Sequence, residues 1–349
     1  MSPALRWQLP AWPARVHGGA GAAGALLHDF STNRNAAGPL PSVLQAVLQA
    51  DRRTYPDPGY HTLREQLGAW HGVPAARLVV LASASAFIEA FTRAAMVWRR
   101  IGRVVAPLPG YGDYAAAAGR LGLSVHGPAA LCDAHTLCWH TEPASPSGSA
   151  GGAALAARLQ AAVAADAVPV LDLAYQPLRL DGAGLPDGAA AVWQLWSPNK
   201  AAGLTGVRAA YAIAPPGLEA VAGWLQAEAP SWPVGADGVA LLSAFATPRA
   251  QAELVACHGR LRTWRDALLA LLHDAGWRPV GGDTVTPFFT ARPAVAWPAR
   301  RAAAHGVQLR DATSLGLPGA WRLCALPPAS LAVLADLLHD RRFNLEGPA

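Results

Sequence analysis

The sequence predicts an α/β fold: a large domain on a mainly parallel sheet, then a smaller α+β domain. Three observations carry this expectation. Short apolar runs at 78–81, 103–106, 123–125, 136–140, 168–172 and 190–196 alternate with stretches of helical periodicity. Chemistry-bearing side chains follow the ends of those runs, as they do at the carboxyl edge of a parallel sheet: Ser85, Tyr111, Ser145, Asp172 and Lys200. Beyond 231–233 the pattern changes to long helices and a few isolated strands.

Composition narrows the class. A chain of 349 residues accommodates one large domain and a smaller one. Hydrophobic residues make up 52%, many of them alanine, but Arg, Asp, Gly or Pro interrupts every long run, so no transmembrane helix is expected. The first 25 residues include Arg6, Pro10, Pro13, Arg15 and His17, and lack the unbroken apolar core of a signal peptide. Four scattered cysteines do not build a disulfide framework, and a cytoplasmic protein is expected. The net charge of +5 comes from arginines spread along the chain, with no basic block. That fits a solvated surface and an anionic substrate better than nucleic acid.

In chain order, residues 1–40 read as a Pro- and Gly-rich arm containing His17-Gly18-Gly19 and Asp29-Phe30-Ser31-Thr32-Asn33. Helical spacing covers 41–50, and Tyr55-Pro56-Asp57-Pro58-Gly59-Tyr60 is a rigid turn before a helix at 63–70. The 78–81 strand runs through small residues, Ala84 and Ser85 among them, into a helix at 86–97, a geometry that presents free N–H groups to an anion. Strand 103–106, the turn 107–111 and a helix through Arg120 follow, then strands at 123–125 and 136–140 and the loop 142–148. A helix at 153–165 leads to strand 168–172, and strand 190–196 delivers Lys200. Later come a helical region at 236–275, strands at 286–291, 307–310 and 321–324, and a last helix after Ser330. Cys132, His135, Cys138 and His140 look like zinc ligands, but their spacing fits no standard finger and strand alternation parts neighbours, so strand packing is expected and no metal.

Lys200 is the only lysine; the other 27 of the 28 basic residues are arginine. A sole lysine in such a chain suggests work that Arg cannot do, above all covalent bonding through an amine that can lose its proton. Ser197 and Arg208 flank it with a hydroxyl and a guanidinium that can converge on one phosphate, and Gly203 and Gly206 permit a tight turn and close backbone approach.

The segment resembles the cofactor-lysine segment of the aspartate-aminotransferase-like (fold type I) enzymes, which use pyridoxal 5'-phosphate (PLP). Such an enzyme needs a lysine for the cofactor aldehyde, a carboxylate for the pyridine nitrogen, an aromatic over the ring and a polar phosphate cup. Lys200 and Asp172 answer the first two, with Tyr175 placed to donate to the ring oxygen. Tyr111 suits the ring face, and Ala84, Ser85, Ser197 and Arg208 suit the cup. Asp172-Leu173-Ala174-Tyr175, then Ser197-x-x-Lys200 and Arg208, extend the resemblance over nearly the whole chain. The turn at Tyr55 resembles the histidinol-phosphate aminotransferase branch, in which the matching tyrosine reaches the phosphate of the neighbouring subunit; this implies a homodimer. His17-Gly18-Gly19, 29–33 and Gly281-Gly282-Asp283-Thr284 are similar to the threonine-phosphate decarboxylases of cobalamin synthesis. That resemblance implies substrate contacts from His17, Gly18 and Asn33, a carboxylate grip by Arg322 and a substrate-phosphate grip by Arg310.

Three positions depart from the family pattern: Ser145 stands where Asn is usual, Leu173 follows the acid where Glu is common, and Asn199 replaces a common Ser. The expected activity is decarboxylation of L-threonine O-3-phosphate to an aminopropanol phosphate. The alternative is transamination of an amino acid or amino phosphate, and the third reading is a non-catalytic PLP- or phosphate-binding relative. The expected division is an arm at 1–40, a PLP-binding domain at 41–232 and a small domain at 233–349.

Overall fold

The computed structural model describes residues 18–19, 26–182 and 184–340. In order, the elements are β1 (His28–Asp29), α1 (Pro41–Gln49), α2 (His61–His71), β2 (Leu78–Leu81), α3 (Ala84–Arg99), β3 (Arg103–Val105), α4 (Gly112–Arg120), β4 (Ser124–His126) and β5 (Thr136–Thr141). Next are α5 (Gly152–Ala164), β6 (Val168–Asp172), β7 (Trp193–Trp196), β8 (Ala210–Ile213), α6 (Glu219–Ala227), α7 (Ala236–Phe245) and α8 (Pro248–Asp274). The chain continues through β9 (Arg278–Val280), β10 (Phe288–Arg292), α9 (Ala299–Ala304), β11 (Val307–Gln308), β12 (Arg310–Asp311), β13 (Trp321–Cys324) and α10 (Pro328–His339).

Seven strands form the large sheet in the order β2-β8-β7-β6-β5-β3-β4. β4, β3, β5, β6 and β7 are mutually parallel, while β8 runs antiparallel to both β2 and β7. The central strands are buried on both faces, which explains why β6 reads as an apolar run up to Asp172 rather than an alternating one. One face packs on α1, α2 and α7 through Val43, Leu63, Leu67, Tyr211 and Leu241. The other packs on α3, α4 and α6 through Phe87, Phe91, Tyr114, Trp139, Trp193 and Leu225.

A second sheet, β12-β13-β10-β9, is wholly antiparallel and lies on α8 and α10 through Leu268, Leu272, Phe289, Leu323 and Leu334. Phe30, from the segment before α1, is buried in this same core, and the Cys324 N–H donates to the Phe30 carbonyl.

The structure corrects several sequence expectations. β8 and α6 lay unrecognised in the stretch after Arg208, because the four residues of β8 carry no turn signal of their own. The helical region 236–275 is two helices: Thr247 caps α8 by accepting from the Ala250 N–H, and Pro248 sits in the first turn, where its missing N–H costs nothing. The stretch 307–310 splits, β11 pairing parallel with β1 while β12 joins the antiparallel sheet. Residues 189–191 form a single 3-10 turn ahead of β7.

Candidate active site

A cavity of about 510 Å3 opens at the carboxyl edge of the large sheet, beneath β12 and β13. Ala84, Ser85, Tyr111, Ser145, Asp172, Tyr175, Ser197, Lys200, Arg208, Arg310, Arg322, Asn33 and Gly18 all line it. The fold thus gathers into one wall residues that lie up to 304 positions apart in sequence, Gly18 and Arg322 being the extremes.

The N-terminal turn of α3 offers a candidate anion cup. Ser83, not Ser85, is its N-cap, accepting from the Ala86 N–H at 3.0 Å. Ala84 and Ser85 therefore occupy the first helical positions, whose N–H groups have no intrahelical partner. The Ser85 hydroxyl lies 3.0 Å from that of Tyr111, which in turn donates to Asp113 Oδ2 at 2.7 Å. Ser197 and Arg208 line the same cavity. Arg208 is held by the Thr205 carbonyl at 3.0 Å.

Lys200 hangs from a braced loop. Asn199 accepts from the Ser197 hydroxyl at 3.0 Å and donates to the carbonyls of Thr205 and Val207. The unusual Asn is thus the loop's internal strut, a role that a shorter Ser side chain cannot span. Asn35 bonds the Lys200 carbonyl through its N–H and the Ala201 carbonyl through its side chain. Gly203 has φ +72°, and a Cβ there would meet Pro39 Cα at 3.0 Å, so the expected close approach is real. Gly206 faces open space, and no close approach occurs there.

Lys200 Nζ donates to Ser197 Oγ at 3.1 Å and lies 5.4 Å from the centre of the Tyr175 ring. Removal from bulk water brings its ammonium down to about 8; the Asp172 charge resists, and Arg208 and Arg322 assist. Asp172 ends β6 and is buried. Its Oδ1 accepts from the Ala174 N–H at 2.9 Å and its Oδ2 from the Tyr114 hydroxyl at 2.7 Å. Burial raises its carboxyl, against the hydrogen bonds from Tyr114 and Ala174 and the Lys200 charge. Burial likewise raises the Tyr175 phenol.

Ser145 lies in a loop clamped from behind. Glu142 forms a buried ion pair with Arg179 and accepts from the Gly151 N–H at 2.8 Å. Gly148 (φ +76°) lies against the Phe288 carbonyl, and Thr284 bonds the Gly148 carbonyl, so the 281–284 motif buttresses this loop. Another wall of the cavity is made by β12, β13 and the early segment. Arg322 Nη2 donates to the Ser31 carbonyl at 2.9 Å, while its Nε is buried without a partner among the described residues. Arg310 donates to Ser314 Oγ at 2.7 Å. Asn33 faces the Tyr175 hydroxyl, and its amide makes no well-formed bond in the protein. Asp29 orders this segment by accepting from the Ser31 and Thr32 hydroxyls, both at 2.5 Å.

Two expected residues stand apart. Tyr55 does not line this cavity; it is 77% exposed, stacks on Trp232 at 4.3 Å and lines a second hollow behind Arg208. His17 lies outside the described residues. Tyr114, Asp113, Thr32 and Ser314 line the cavity and were missed. A signal for Tyr114 existed: it follows Tyr111 by three, so a helix starting between them turns both to one side. Cys138 packs with Val105 and Ala162, and no group of three or more metal-ligating side chains assembles among the described residues.

The cup at one end and the buried carboxylate at the other suit a flat phosphorylated pyridine, with its aldehyde toward Lys200. Among the described residues, the Asn33 amide and Arg322 Nε have no hydrogen-bond partner, which leaves polar valences for a ligand. Fold and site together define the class: the PLP enzymes of fold type I. Comparison with known proteins gives the family. Residues 27–338 match the model for aminotransferase class I and II, and the chain belongs to that family. An aromatic amino acid aminotransferase of Streptomyces avermitilis is 30% identical over 79% of this chain and 81% of its own. Among solved structures, the histidinol-phosphate aminotransferase of Sinorhizobium meliloti, in complex with PLP, superposes with a TM-score of 0.75 at 22% identity, covering 90% of this chain and 91% of that one. The L-threonine-O-3-phosphate decarboxylase of Porphyromonas gingivalis gives 0.73 at 20% identity, over 88% and 97%. The cofactor is pyridoxal 5'-phosphate.

Proposed function

We propose that the protein decarboxylates L-threonine O-3-phosphate to (R)-1-amino-2-propanol O-2-phosphate and CO2, a step of cobalamin biosynthesis. The observation that carries this reading is the pairing of Arg310 with Arg322. They are register partners across β12 and β13, both buried, facing one cavity. Like charges placed opposite each other in a sheet are destabilising on their own. A phosphorylated amino acid offers an anionic group to each guanidinium, its carboxylate to one and its phosphate to the other, whereas an aromatic amino acid offers only its carboxylate.

In this reading Arg322 grips the substrate carboxylate through Nε and its remaining Nη donors. Arg310 and Ser314 take the phosphate, and Asn33 and Gly18 border the substrate. Bound PLP supplies an electron sink that weakens one bond at the substrate α-carbon. Asp172 would hold the ring nitrogen and Tyr175 would donate to the ring oxygen. Ser145, shorter than the family Asn, leaves Tyr175 as the main donor there. Lys200, oriented by Ser197, returns a proton to the carbon that loses CO2. The same amine shuttling the α-proton instead gives transamination, the second reading, which the family membership favours.

The arm (1–40), large domain (41–232) and small domain (233–349) belong to the same proposal, as does a homodimer in which exposed Tyr55 completes the partner's phosphate cup. Carboxyl-labelled O-phosphothreonine separates the readings. Release of labelled CO2 supports decarboxylation, and amino transfer to a keto acid without CO2 supports transamination. Turnover lost in Lys200→Ala with the fold intact excludes a binding-only role.

A further inference from the structure

Asp172 is a buried carboxylate held by a donor from a different layer of the fold. Its Oδ2 accepts a 2.7 Å bond from Tyr114, which projects from α4 and is 1% exposed. The Tyr114 ring is fixed by stacking on Trp139 of β5, with centroids 4.8 Å apart and planes 16° from parallel. It is crossed edge-on by Tyr111, the aromatic placed for the cofactor ring, at 5.7 Å. Trp139 itself sits among Phe87 and Phe91, so this donor has little freedom to turn away.

We propose that Tyr114 is a positioning residue that keeps the Asp172 carboxylate ionised and aimed at the ring nitrogen of PLP. The inference rests on the cofactor and not on the choice of substrate. A buried carboxylate without donors tends to take up a proton. A protonated Asp172 holds the ring nitrogen only as a neutral pair and weakens the electron sink. Tyr114 opposes this by donating to the anion, and burial raises its own phenol well above the usual range, so it stays a donor at every working pH. The titratable groups facing Asp172 are Tyr114 from α4, Tyr175 beyond β6 and Lys200 beyond β7, with Tyr111 on the same cavity wall. His140 pairs in register with Leu171 and so points to the other face of the sheet.

The test is the pH profile of PLP affinity in cofactor-free protein, with the 15N resonance of ring-labelled PLP as a second readout. In Tyr114→Phe the Asp172 carboxyl titrates higher, so binding on the acid side is lost at a pH about one to two units above the wild type. The 15N resonance moves from the pyridinium toward the unprotonated position. Site-specific 3-fluorotyrosine at 114 keeps the volume, strengthens the donor and moves the acid limb the other way, which keeps the test sound if the Phe variant folds poorly. Leu241→Val, a packing change on the other face of the sheet, leaves limb and resonance in place. An equal loss of affinity at all pH values with the resonance unmoved, or no shift with fluorotyrosine, overturns the proposal.

Discussion

Arg310 and Arg322 face each other across β12 and β13 as an antiparallel register pair, and both are buried. Burial together with the neighbouring Arg322 lowers the Arg310 guanidinium from its ordinary range. If the protein is the proposed decarboxylase, Arg310→Gln raises KM for O-phosphothreonine about 10–100-fold and changes kcat less. Steady-state kinetics with O-phosphothreonine check both halves.

Arg322→Lys keeps the charge and loses the planar fork. A fall in kcat/KM of about 100-fold, roughly 3 kcal/mol, is expected, because a point charge cannot serve the Ser31 carbonyl and a carboxylate together. Kinetics of this variant beside Arg310→Gln separate the proposed carboxylate grip from the proposed phosphate grip.

With Lys200 brought down to about 8, covalent attachment of PLP to cofactor-free protein accelerates as pH rises through that value. Below it, the neutral amine falls tenfold per pH unit. Above it, the rate levels off. Stopped-flow absorption from pH 6.5 to 9.5 reads the midpoint, and Ser197→Ala, which removes the orienting acceptor, slows attachment at every pH.

The Glu142–Arg179 pair ties the end of β5 to the turn after Tyr175. Removing one partner strands the other charge in the interior, so Glu142→Ala or Arg179→Ala costs about 3–5 kcal/mol. Glu142→Leu with Arg179→Met is expected to cost far less. Urea unfolding of the three variants decides it.

His71 and His140 are both buried and brought down to about 4 by desolvation, against about 6.5 in the unfolded chain. Between these values the unfolded state binds more protons. Stability is therefore complete above pH 6.5 and is lost as pH falls toward 4, by roughly 3 kcal/mol for each imidazole. The urea midpoint from pH 7 to 4.5 shows the slope. His71→Phe is expected to flatten it while giving up the 2.8 Å bond to the Tyr211 hydroxyl.

The strand-end residues were legible in the sequence because a parallel sheet presents them together at its carboxyl edge. Asp172 closes β6 and Lys200 follows β7, and both reach the cavity as expected. Residues whose role depends on another element were not legible. Tyr114 reads as a core aromatic until α4 and β6 are seen together. Arg310 and Arg322 are opposite neighbours only through a register that turns and bulges, not local pattern, decide. β8 escaped because four apolar residues carry too little periodicity to separate a strand from the flanking loop. Tyr55 differs again: its turn was legible, yet within one chain its side chain meets Trp232 and not the cavity.

The most direct measurement is borohydride reduction of the PLP-loaded protein followed by peptide mapping. A visible absorption band that disappears on reduction, with the cofactor on the peptide containing Lys200, is the expected result. Since no other lysine exists, the outcome is unambiguous. No band, or an adduct only on the chain's α-amine, would contradict the central claim that this cavity is built around Lys200.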